Sequence, residues 1–456
     1  MSCPARHSRG VTTSVRDTEW GRGQLWRRTV KILHVTDLFE PSIGGMETHV
    51  LSLVRERVRV GHEMSVATLV KIDGQPSSEI EDVGFRVYRI NAGYTRFERA
   101  WASSMRPHHP PFPDPVVAHH LRQIIEREHP DVIHAHNWMV YSYLAFKTRR
   151  HPPVLWMQHD YSLACPKKTR LYYKGDGWCP GASPKRCASC SVEQYGRAKG
   201  AAITLGLLVS NATLLRRADR VIANSAGVAR RAEEAVGING SVEVVSTFVA
   251  DNLEQEADSV PRPDFLPVVD DYILFVGGLG PFKGIGDLLI AYESLGRDKP
   301  PLVVLGTSMA GQPTRWPDNV IVRENVAHAQ VMAAWKHCRF GVVPSRWEEP
   351  FALVALEAST MGKAVIATNV GGLPEIILDG RTGILVPRRD PEALAQAMRV
   401  LLNDPDRTVA MGAAGKEHAS AFTVHKSAPR FDRILEELVE THRSRTDTQK
   451  RRRRTP

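Results

Sequence analysis

The sequence predicts an α/β protein built from two doubly wound parallel sheets. Short apolar strands alternate with amphipathic helical segments along most of the chain, which is typical of a parallel sheet covered by helices on both faces. The alternation stops in an acidic, Pro-containing stretch at 251–271 and then restarts. With 456 residues the chain is long enough for two full cores. Two such domains leave a cleft between them, and interdomain clefts are favoured ligand sites.

The composition narrows the class of protein. Apolar residues make up 42% and charged residues 24% of the chain, as in ordinary soluble globular proteins. The net charge of +10 lies partly in Arg-rich ends, so we expect a disordered basic segment at 1–28 and a basic tail at 446–456. The folded part is then closer to neutral, which argues against a nucleic-acid partner.

The sequence also bears on localisation. The start of the chain holds several Arg but lacks the apolar core of a signal peptide. The most apolar stretch, 201–215, is too short for a membrane span and contains polar residues. We therefore expect a cytoplasmic protein. A basic face of the protein would favour peripheral contact with the inner face of an anionic membrane.

The N-terminal domain is expected at 29–255. Helical segments such as 116–128 separate its strands, which are predicted at 31–35, 63–70, 85–90, 131–136, 153–159, 220–225 and 242–247. In the fourth strand His134 and His136 point to the same face, because side chains alternate along a strand. No third metal ligand is evident in the sequence, so a pair that shapes the cleft is the simpler interpretation.

A linker is expected at 256–271 and a C-terminal domain at 272–425. The strands of this domain are predicted in 272–284, 301–306, 319–322, 340–345, 364–369 and 383–387. Asp390 is expected to cap a helix that begins at Pro391. Ligands of an open parallel sheet bind beyond the carboxyl ends of its strands. A site is therefore expected in the loops that follow these strands.

Two carboxylates, Glu349 and Glu357, flank an apolar run in "WEEPFALVALEA" with seven residues between them. Glu349 follows a strand, Pro350 is expected to open a helix, and Gly362 is expected to close it in a left-handed conformation. Burial of an unpaired carboxylate is costly, so a buried pair would have to bind groups that donate hydrogen bonds. On spacing alone the pair fits a surface helix as well as a site for vicinal hydroxyls.

Two further loops favour a ligand site over a surface helix. "VGGLGPFKG" lies between a strand and a helix, where glycines and a helix N-terminus can face an anion and Lys283 adds a positive charge. "NVGGLPE" places a glycine pair after another strand, with Glu375 just inside the next helix. Each loop alone is a weak signal. Three loops at the carboxyl ends of one sheet suit a nucleoside diphosphate attached to a hydroxyl-rich group.

"PSRWEEPFALVALEASTMGKAVIATNVGGLPEIILDGRTGILVP" resembles the retaining, nucleotide-sugar-dependent glycosyltransferases of family 4 (group 1), and Glu349 and Glu357 match their E-x7-E motif. "DLFEPSIGGMETHVLSLVRERVRVGHEMSV" looks like the N-terminal glycine-loop motif of that family, and "DVIHAHN" also fits. The resemblance implies the GT-B fold, with two Rossmann-like domains. It implies that the C-terminal domain holds the donor and the N-terminal domain the acceptor. It also implies that a helix at 426–445 crosses back onto the N-terminal domain.

The resemblance assigns catalytic roles by position. Glu349 is expected near the transferred sugar, where it stabilises charge at the reacting centre, and His159 is expected beside the same sugar. Lys283 is expected to neutralise the diphosphate leaving group, and Glu357 to bind the ribose hydroxyls. The chemistry is electrostatic stabilisation of a departing nucleoside diphosphate, with the acceptor held on the same face of the sugar. Such chemistry needs no metal.

Backbone groups complete the implied donor site. The N–H groups of Phe351, Ala352 and Leu353 are expected to meet sugar hydroxyls, with Ala352 standing where the family commonly has Gly. The N-terminal loop is expected to approach the donor closely at Gly44 and Gly45.

Gly278 is a second departure from the family. The family usually has Arg at this position, so half of the cationic clamp on the diphosphate is missing. We expect another Arg to replace it, either Arg346 or one from the N-terminal domain, or else a slower enzyme.

Four of the six cysteines, Cys165, Cys179, Cys187 and Cys190, cluster in an insert at 165–190. The final C-x2-C is the usual half-site for tetrahedral zinc, and the other two cysteines could complete it. The insert is rich in turns and poor in apolar residues, so a metal would compensate for a small core. Structural zinc and free thiols both stay open. Some transferases that the chain resembles carry a similar insert, which is expected to wall the acceptor side of the cleft.

The function expected is transfer of a sugar from a nucleotide-sugar donor to an acceptor hydroxyl, with retention of configuration and without a catalytic cofactor. Two alternatives stay open: another GT-B activity such as a nucleotide-sugar epimerase, and a non-catalytic relative that binds a nucleotide-sugar. The motifs identify neither the donor base and sugar nor the acceptor, for which lipid-linked glycan, polysaccharide and small molecule stay open.

Overall fold

The structure, a computed structural model, describes residues 29–41, 44–70, 79–82, 84–94, 108–172, 179, 181–237 and 242–454. Of 79–82, 236 and 449–454 it describes the backbone alone. The segment 1–28, expected to be disordered, lies outside the described residues. The predicted fold class is confirmed, because the described residues form two separate, largely parallel sheets with helices between their strands.

The first sheet has eight strands in the described residues, in the order β3-β4-β2-β1-β5-β6-β7-β8. Neighbouring strands run parallel, except that β3 pairs antiparallel with β4. The strands are β1 Lys31–Thr36, β2 Glu63–Leu69, β3 Glu79–Asp82, β4 Phe85–Ile90, β5 Val132–His136, β6 Val154–Gln158, β7 Arg220–Ala223 and β8 Glu243–Val244. The helices are α1 Gly45–Arg59, α2 Pro115–Glu128, α3 Val140–Phe146, α4 Pro184–Tyr195, α5 Arg197–Leu214 and α6 Ala226–Val236. The edge strand β3 was not among the predicted strands.

The second sheet has six parallel strands, in the order β11-β10-β9-β12-β13-β14. The strands are β9 Ile273–Gly278, β10 Leu302–Thr307, β11 Val320–Glu324, β12 Phe340–Val343, β13 Val365–Thr368 and β14 Gly383–Val386. The helices are α7 Leu253–Asp258, α8 Ile285–Glu293, α9 His328–His337, α10 Leu353–Thr360, α11 Leu373–Ile376, α12 Pro391–Asn403, α13 Pro405–Ala419 and α14 Val424–Arg454. As predicted, Asp390 caps α12 by accepting a hydrogen bond from the N–H of Ala393.

Alternate residues of the central strands enter different cores. Leu33 and Val35 of β1 belong to one buried cluster, whereas Ile32 belongs to the cluster on the opposite face. In β9, Leu274 and its neighbour Phe275 likewise belong to two different buried clusters. This period of two buries both faces of each sheet, so the ligand-accessible part is left at the strand ends.

Three predicted boundaries are wrong. The stretch at 251–271 was expected to lack periodic structure, but α7 lies in it and buries Leu253 and Ala257 in the core of the second sheet. The helix after Glu349 begins at Leu353 rather than Pro350, although Gly362 does adopt the left-handed conformation, with φ 70°. The basic tail continues α14, whose backbone is helical to Arg454.

The last helix returns to the N-terminal half of the chain. Phe431, Ile434 and Leu438 of α14 share a buried cluster with residues of β1 and β2. The chain passes from the first sheet to the second near Val249 and returns near Thr423. These two segments lie side by side, because Val249 and Thr423 form a parallel bridge.

Helix α5 is longer than the apolar stretch at 201–215, which was expected to be too short for a membrane span. With the short 3-10 turn that follows, Arg197–Arg217 is 21 residues long and apolar enough to cross a membrane, by length and composition only. One such helix is weak evidence, because core helices of soluble proteins pass the same test. Ile203 and Leu207 pack in the N-terminal core, while Leu205 is 63% exposed.

Candidate active site

The predicted site residues gather where the strand order of each sheet changes direction. In the first sheet this point lies between β1 and β5, and in the second between β9 and β12. The crevice at such a switch point is the usual ligand site of an open α/β sheet. His136 ends β5, Gly278 ends β9, and Glu349 follows β12. Sequence alone gives the strands but not their order, so this convergence is a structural finding.

Lys283 and Glu349 form an ion pair across the switch point of the second sheet. The Nζ atom of Lys283 lies 2.6 Å from Oε1 of Glu349, and the Ser345 hydroxyl donates to the same oxygen at 2.7 Å. Glu349 is 4% exposed, and the Lys283 side chain is 24% exposed. A buried carboxylate is stable here because a cation and a hydroxyl satisfy one of its oxygens. The arrangement leaves the lysine accessible from the cleft.

Close packing between loops positions this pair. Gly284 has φ 77°, and a Cβ atom there would lie 1.8 Å from the carbonyl oxygen of Pro344. The N–H of Arg346 donates to the Phe282 carbonyl at 2.9 Å. The loop that carries Lys283 is therefore fixed to the loop that leads to Glu349, and a side chain at position 284 would separate them.

The glycine pair in "NVGGLPE" has a role that the sequence reading missed. Gly371 has φ 57°, and a Cβ atom there would lie 2.0 Å from the Glu349 carbonyl oxygen. The N–H of Gly372 donates to that oxygen at 2.7 Å. These glycines pack beneath the Glu349 loop. Their contacts hold the loop in place.

Glu357 lies in α10 with its side chain 13% exposed. One of its oxygens lies 3.3 Å from Nε2 of His328, whose Nδ1 is 2.8 Å from Glu256. The hydrogen bond to Glu357, reinforced by Glu256, raises the pKa of His328 to about 9. No motif in the sequence indicated that His328 belongs to this site. Binding of ribose by Glu357 stays a prediction, and the carboxylate already has one charged partner.

The N-terminal glycine loop reaches the second sheet. A Cβ atom on Gly45 would lie 3.0 Å from Cδ1 of Leu353, so two predicted donor residues from different domains are neighbours. The N–H of Leu353 donates to the Phe351 carbonyl at 3.1 Å, so that group already has a partner. Phe351 and Ala352 are 9% and 4% exposed. A Cβ atom on Gly44 would collide with the side chain of Glu47.

Gly278 and Arg346 are the two positions that bear on the missing cationic clamp. The sulfur of Met309 lies 2.5 Å from the position of a Cβ atom on Gly278, so a side chain there requires Met309 to move. Arg346 forms a two-point ion pair with Asp287 of α8, with Nε and Oδ2 2.7 Å apart. Because the guanidinium of Arg346 already has this partner, replacement of the clamp by Arg346 stays a prediction.

A row of histidines lines the switch point of the first sheet. Nδ1 of His34 lies 3.1 Å from Nε2 of His136, and Nδ1 of His136 lies 2.8 Å from Nε2 of His159. Burial lowers the pKa of His34 and of His159 to about 3, so both imidazoles are neutral at physiological pH. His159 can exchange hydrogen bonds with a sugar hydroxyl but does not carry a positive charge.

These histidines also bear on metal binding. Ring nitrogens of His34, His134 and His136 lie within 4.8 Å of one another, so His34 supplies the third group that the sequence did not reveal. However, both nitrogens of His136 already face other histidines. In the part of the chain that the structure describes, neither nitrogen of His134 has a hydrogen-bond partner. The contacts favour a hydrogen-bonded row over a metal site.

Glu348, next to Glu349, connects the two domains and was not predicted. Its carboxylate lies 2.9 Å from Nε of Arg170 in the cysteine insert and 2.8 Å from Nη2 of Arg231 in α6. Glu348 and Arg170 are 7% and 5% exposed. Glu375 adds a second link, because it accepts a hydrogen bond from the N–H of Ala226 at the start of α6. The Glu349 loop is thus held from the N-terminal side as well.

The four cysteines of the insert line one small cavity of about 20 Å³. Cys165 lies in the loop after β6, and Cys187 and Cys190 are one turn apart on α4. The Cys190 thiol contacts the Leu171 carbonyl oxygen at 3.4 Å, and the Cys179 thiol contacts that of Gly181 at 3.7 Å. Cys338, in contrast, is buried in the second domain.

Two family descriptions match the chain. "Glycosyl transferases group 1" matches residues 261–418, and "Glycosyl transferase 4-like domain" matches residues 44–247. A D-inositol 3-phosphate glycosyltransferase of Corynebacterium diphtheriae is 26% identical over 427 residues, which are 88% of this chain and 92% of the relative. A glycogen synthase of Mycobacterium tuberculosis is 26% identical over 407 residues, which are 82% and 87% of the two chains.

Solved structures show the same fold. Sucrose-phosphate synthase from Thermosynechococcus elongatus aligns with a TM-score of 0.66 at 21% identity, over 90% of this chain and 100% of that one. The Anabaena protein HepE, in complex with UDP and glucose, aligns with a TM-score of 0.62 at 19% identity, over 90% and 100% of the chains. The matches and the two-sheet architecture agree with the resemblance seen in the motifs. The chain belongs to the group 1, family 4-like glycosyltransferases and has the GT-B fold.

Proposed function

We propose that this glycosyltransferase moves a sugar from a nucleoside-diphosphate sugar to an acceptor hydroxyl with retention of configuration. The observation that carries the proposal is the Lys283–Glu349 pair at the switch point of the second sheet. It places a partly exposed cation beside a buried carboxylate, at the edge where nucleotides bind in such sheets. The Anabaena neighbour was solved with UDP and glucose, which supports a nucleotide-sugar donor.

The charges at this edge fit the requirements of the reaction. Departure of a nucleoside diphosphate leaves negative charge on the phosphate, which Lys283 is positioned to stabilise. The sugar develops positive charge at the same moment, and Glu349 would stabilise it from the other side. Fixed charges in a partly desolvated site act without reorganisation, so they lower the barrier more than mobile water does. Neutral His159 would hold a sugar hydroxyl.

The donor is proposed to bind through the second domain. Glu357 would accept hydrogen bonds from the ribose diol, while the N–H groups of Phe351 and Ala352 would meet the sugar. The acceptor is proposed to enter beside the histidine row and the cysteine insert. We assign no chemical role to a metal, because Lys283 supplies the positive charge that a metal would otherwise bring to the diphosphate.

The experiment that tests this proposal is an assay of the purified chain with a panel of nucleoside-diphosphate sugars. Release of the nucleoside diphosphate is measured with and without lipid-linked, polysaccharide and small-molecule acceptors, each in the presence and absence of EDTA. We expect release that depends on an acceptor and is insensitive to EDTA. Formation of an isomeric nucleotide-sugar without an acceptor would indicate an epimerase, and binding without turnover would indicate a non-catalytic relative.

We further propose that the enzyme acts in the cytoplasm, at an anionic membrane surface that α5 contacts. Leu205, Leu208 and Val209 on the outer side of α5 are 63%, 45% and 50% exposed. Arg197 and Arg216 are exposed near the two ends of the same helical segment. An apolar helical face flanked by cations is typical of helices that lie in the membrane interface. The occupant that fits is therefore a bilayer with anionic headgroups.

Co-sedimentation with vesicles tests the membrane contact. The parent should bind vesicles that contain an anionic phospholipid more strongly than neutral ones. Leu205→Glu with Leu208→Glu should abolish binding, because the apolar side of α5 then carries negative charge. Val409→Glu, at a residue that is 72% exposed on α13, is the matched control and should bind like the parent. Equal binding by all variants would contradict the proposal.

A further inference from the structure

The strongest observation outside the switch points is the cavity that Cys165, Cys179, Cys187 and Cys190 share. The four residues come from three places in the chain: the loop after β6, the loop before α4, and α4 itself. Cys187 and Cys190 lie three residues apart on α4 and so face the same side of the helix. Four thiols that line one cavity supply the ligand set of a tetrahedral structural metal site, although no three of their Sγ atoms lie within 4.8 Å of one another in the described residues, so an ion would have to draw them together.

The surroundings of the cavity suit an anionic centre. Lys167, Arg170 and Arg186 line it together with the cysteines. Four thiolates around a divalent ion carry two net negative charges, and these side chains would compensate them. Arg186 donates to the Gly181 carbonyl at 2.6 Å, and Lys167 donates to the Leu171 carbonyl at 3.0 Å. Arg186 and Lys167 are thus held at the cavity wall by neutral partners, while Arg170 also pairs with Glu348.

The chemistry of the ligands favours one metal. A volume of about 20 Å³ accepts one ion or one water molecule. Among single ions, soft thiolate ligands in a tetrahedral set favour zinc. We infer that Cys165, Cys179, Cys187 and Cys190 bind one zinc ion, and that this site holds Arg170 in place against Glu348 of the catalytic loop.

The loop at 165–171 connects the cysteine cavity to the second domain. Lys168 and Arg170 have φ 64° and 53°, which are left-handed conformations that residues other than glycine rarely adopt. Lys168 reaches Asp37 at 3.5 Å and lies over the Trp138 ring at 4.2 Å. Arg170 reaches Glu348 at 2.9 Å. A metal bound to Cys165 would fix this strained loop at one end, so that Arg170 faces the second domain.

Metal analysis of the full-length protein tests the zinc site. We expect one zinc per chain in the parent, a severalfold loss in Cys187→Ser and in Cys190→Ser, and retention in Cys187→His, which keeps a zinc ligand. Cys338→Ala is the matched control and should keep its zinc. Absence of zinc from the parent, iron in its place, or a peptide mass that indicates disulfides between these cysteines would overturn the site.

Hydrogen exchange tests the connection to the catalytic loop. Chelation of zinc from the parent should raise exchange severalfold in peptides that cover 345–351. In Glu348→Gln exchange there should already be high, and chelation should add little. If chelation removes zinc but leaves exchange at 345–351 unchanged in the parent, the connection is wrong. Neither readout depends on sugar transfer, so failure of the proposed function and failure of this inference give different results.

Discussion

A row of buried imidazoles lies at the switch point of the first sheet, whereas the switch point of the second sheet holds an ion pair with a partly exposed lysine. His34, His136 and His159 are kept neutral by burial. Across the cleft, Lys283 and Glu349 form an ion pair. A nucleoside diphosphate requires positive charge, while an acceptor hydroxyl requires only hydrogen-bonding partners. The same Rossmann-like architecture thus appears twice with different electrostatics, as the proposed reaction requires of its donor and acceptor sides.

The largest effect is expected for Glu349→Gln. This change removes the charge that would stabilise the sugar while keeping the shape of the side chain, and we expect kcat to fall by roughly 10²–10³. The dissociation constant of the donor should change little, because Lys283 is retained. Steady-state kinetics and calorimetric titration with the nucleotide measure the two quantities.

Ser345→Ala is the control for Glu349→Gln. It removes one hydrogen bond to Glu349 but keeps the ion pair, so its kcat should stay within about tenfold of the parent, the effect of a hydrogen bond of about 1 kcal/mol. An equal loss in both variants would show that position 349 acts through loop structure rather than through charge.

The histidine row should make stability sensitive to acid. Burial lowers the pKa of His134 in the folded state well below its ordinary value, so at pH below 6.5 the unfolded chain takes up a proton that the folded chain does not. The contribution is complete above pH 6.5 and is lost as the pH falls toward the folded-state pKa. One such histidine should lower the free energy of unfolding by about 2 kcal/mol between pH 6.5 and 5.

Urea unfolding of the parent and of His134→Leu measures this contribution. Leucine cannot titrate, so the variant should lose less stability between pH 6.5 and 5. His119→Leu, at an exposed position of α2, is a matched control and should follow the parent. Parallel pH profiles for the parent and His134→Leu would contradict the neutral histidine row.

A smaller effect is expected for Glu357→Gln. The pKa of His328 is raised to about 9 by Glu357 and Glu256, so the stabilisation is complete below pH 6.5 and is lost as the pH rises through 9. Without the Glu357 charge, the pKa of His328 should fall, as measured by NMR. If Glu357 also binds ribose, KM for the donor should rise about tenfold while kcat changes little. An unchanged KM would assign Glu357 to structure alone.

The sequence was sufficient for much of the fold and for the edge on which the site lies. Strand periodicity and glycine loops predicted the main strands of both sheets, and the E-x7-E pair led to the loop that contains Glu349. The sequence could not give the order of strands, so it could not show that Lys283 pairs with Glu349. It also could not reveal partners that are distant in the chain. His328, Asp287 and Glu348 act through such contacts.

The missing cationic clamp shows the same limit. Arg346 is close to the site in the chain, but Asp287 of the neighbouring helix already pairs with it. The glycine pair at Gly371 and Gly372 marked a loop of the site, but its close packing against the Glu349 loop was not evident from the motif. Local motifs identify which loops form the site. Which side chains are free to bind depends on packing between loops, which has no local signature.

The anomeric configuration of the product tests the central claim most directly. The parent is incubated with the nucleotide-sugar and acceptor that give turnover, and the coupling constant of the anomeric proton in the product is measured by NMR before any spontaneous interconversion. The account predicts the same anomeric configuration as in the donor, because leaving group and acceptor occupy one face of the sugar. An inverted product would contradict it.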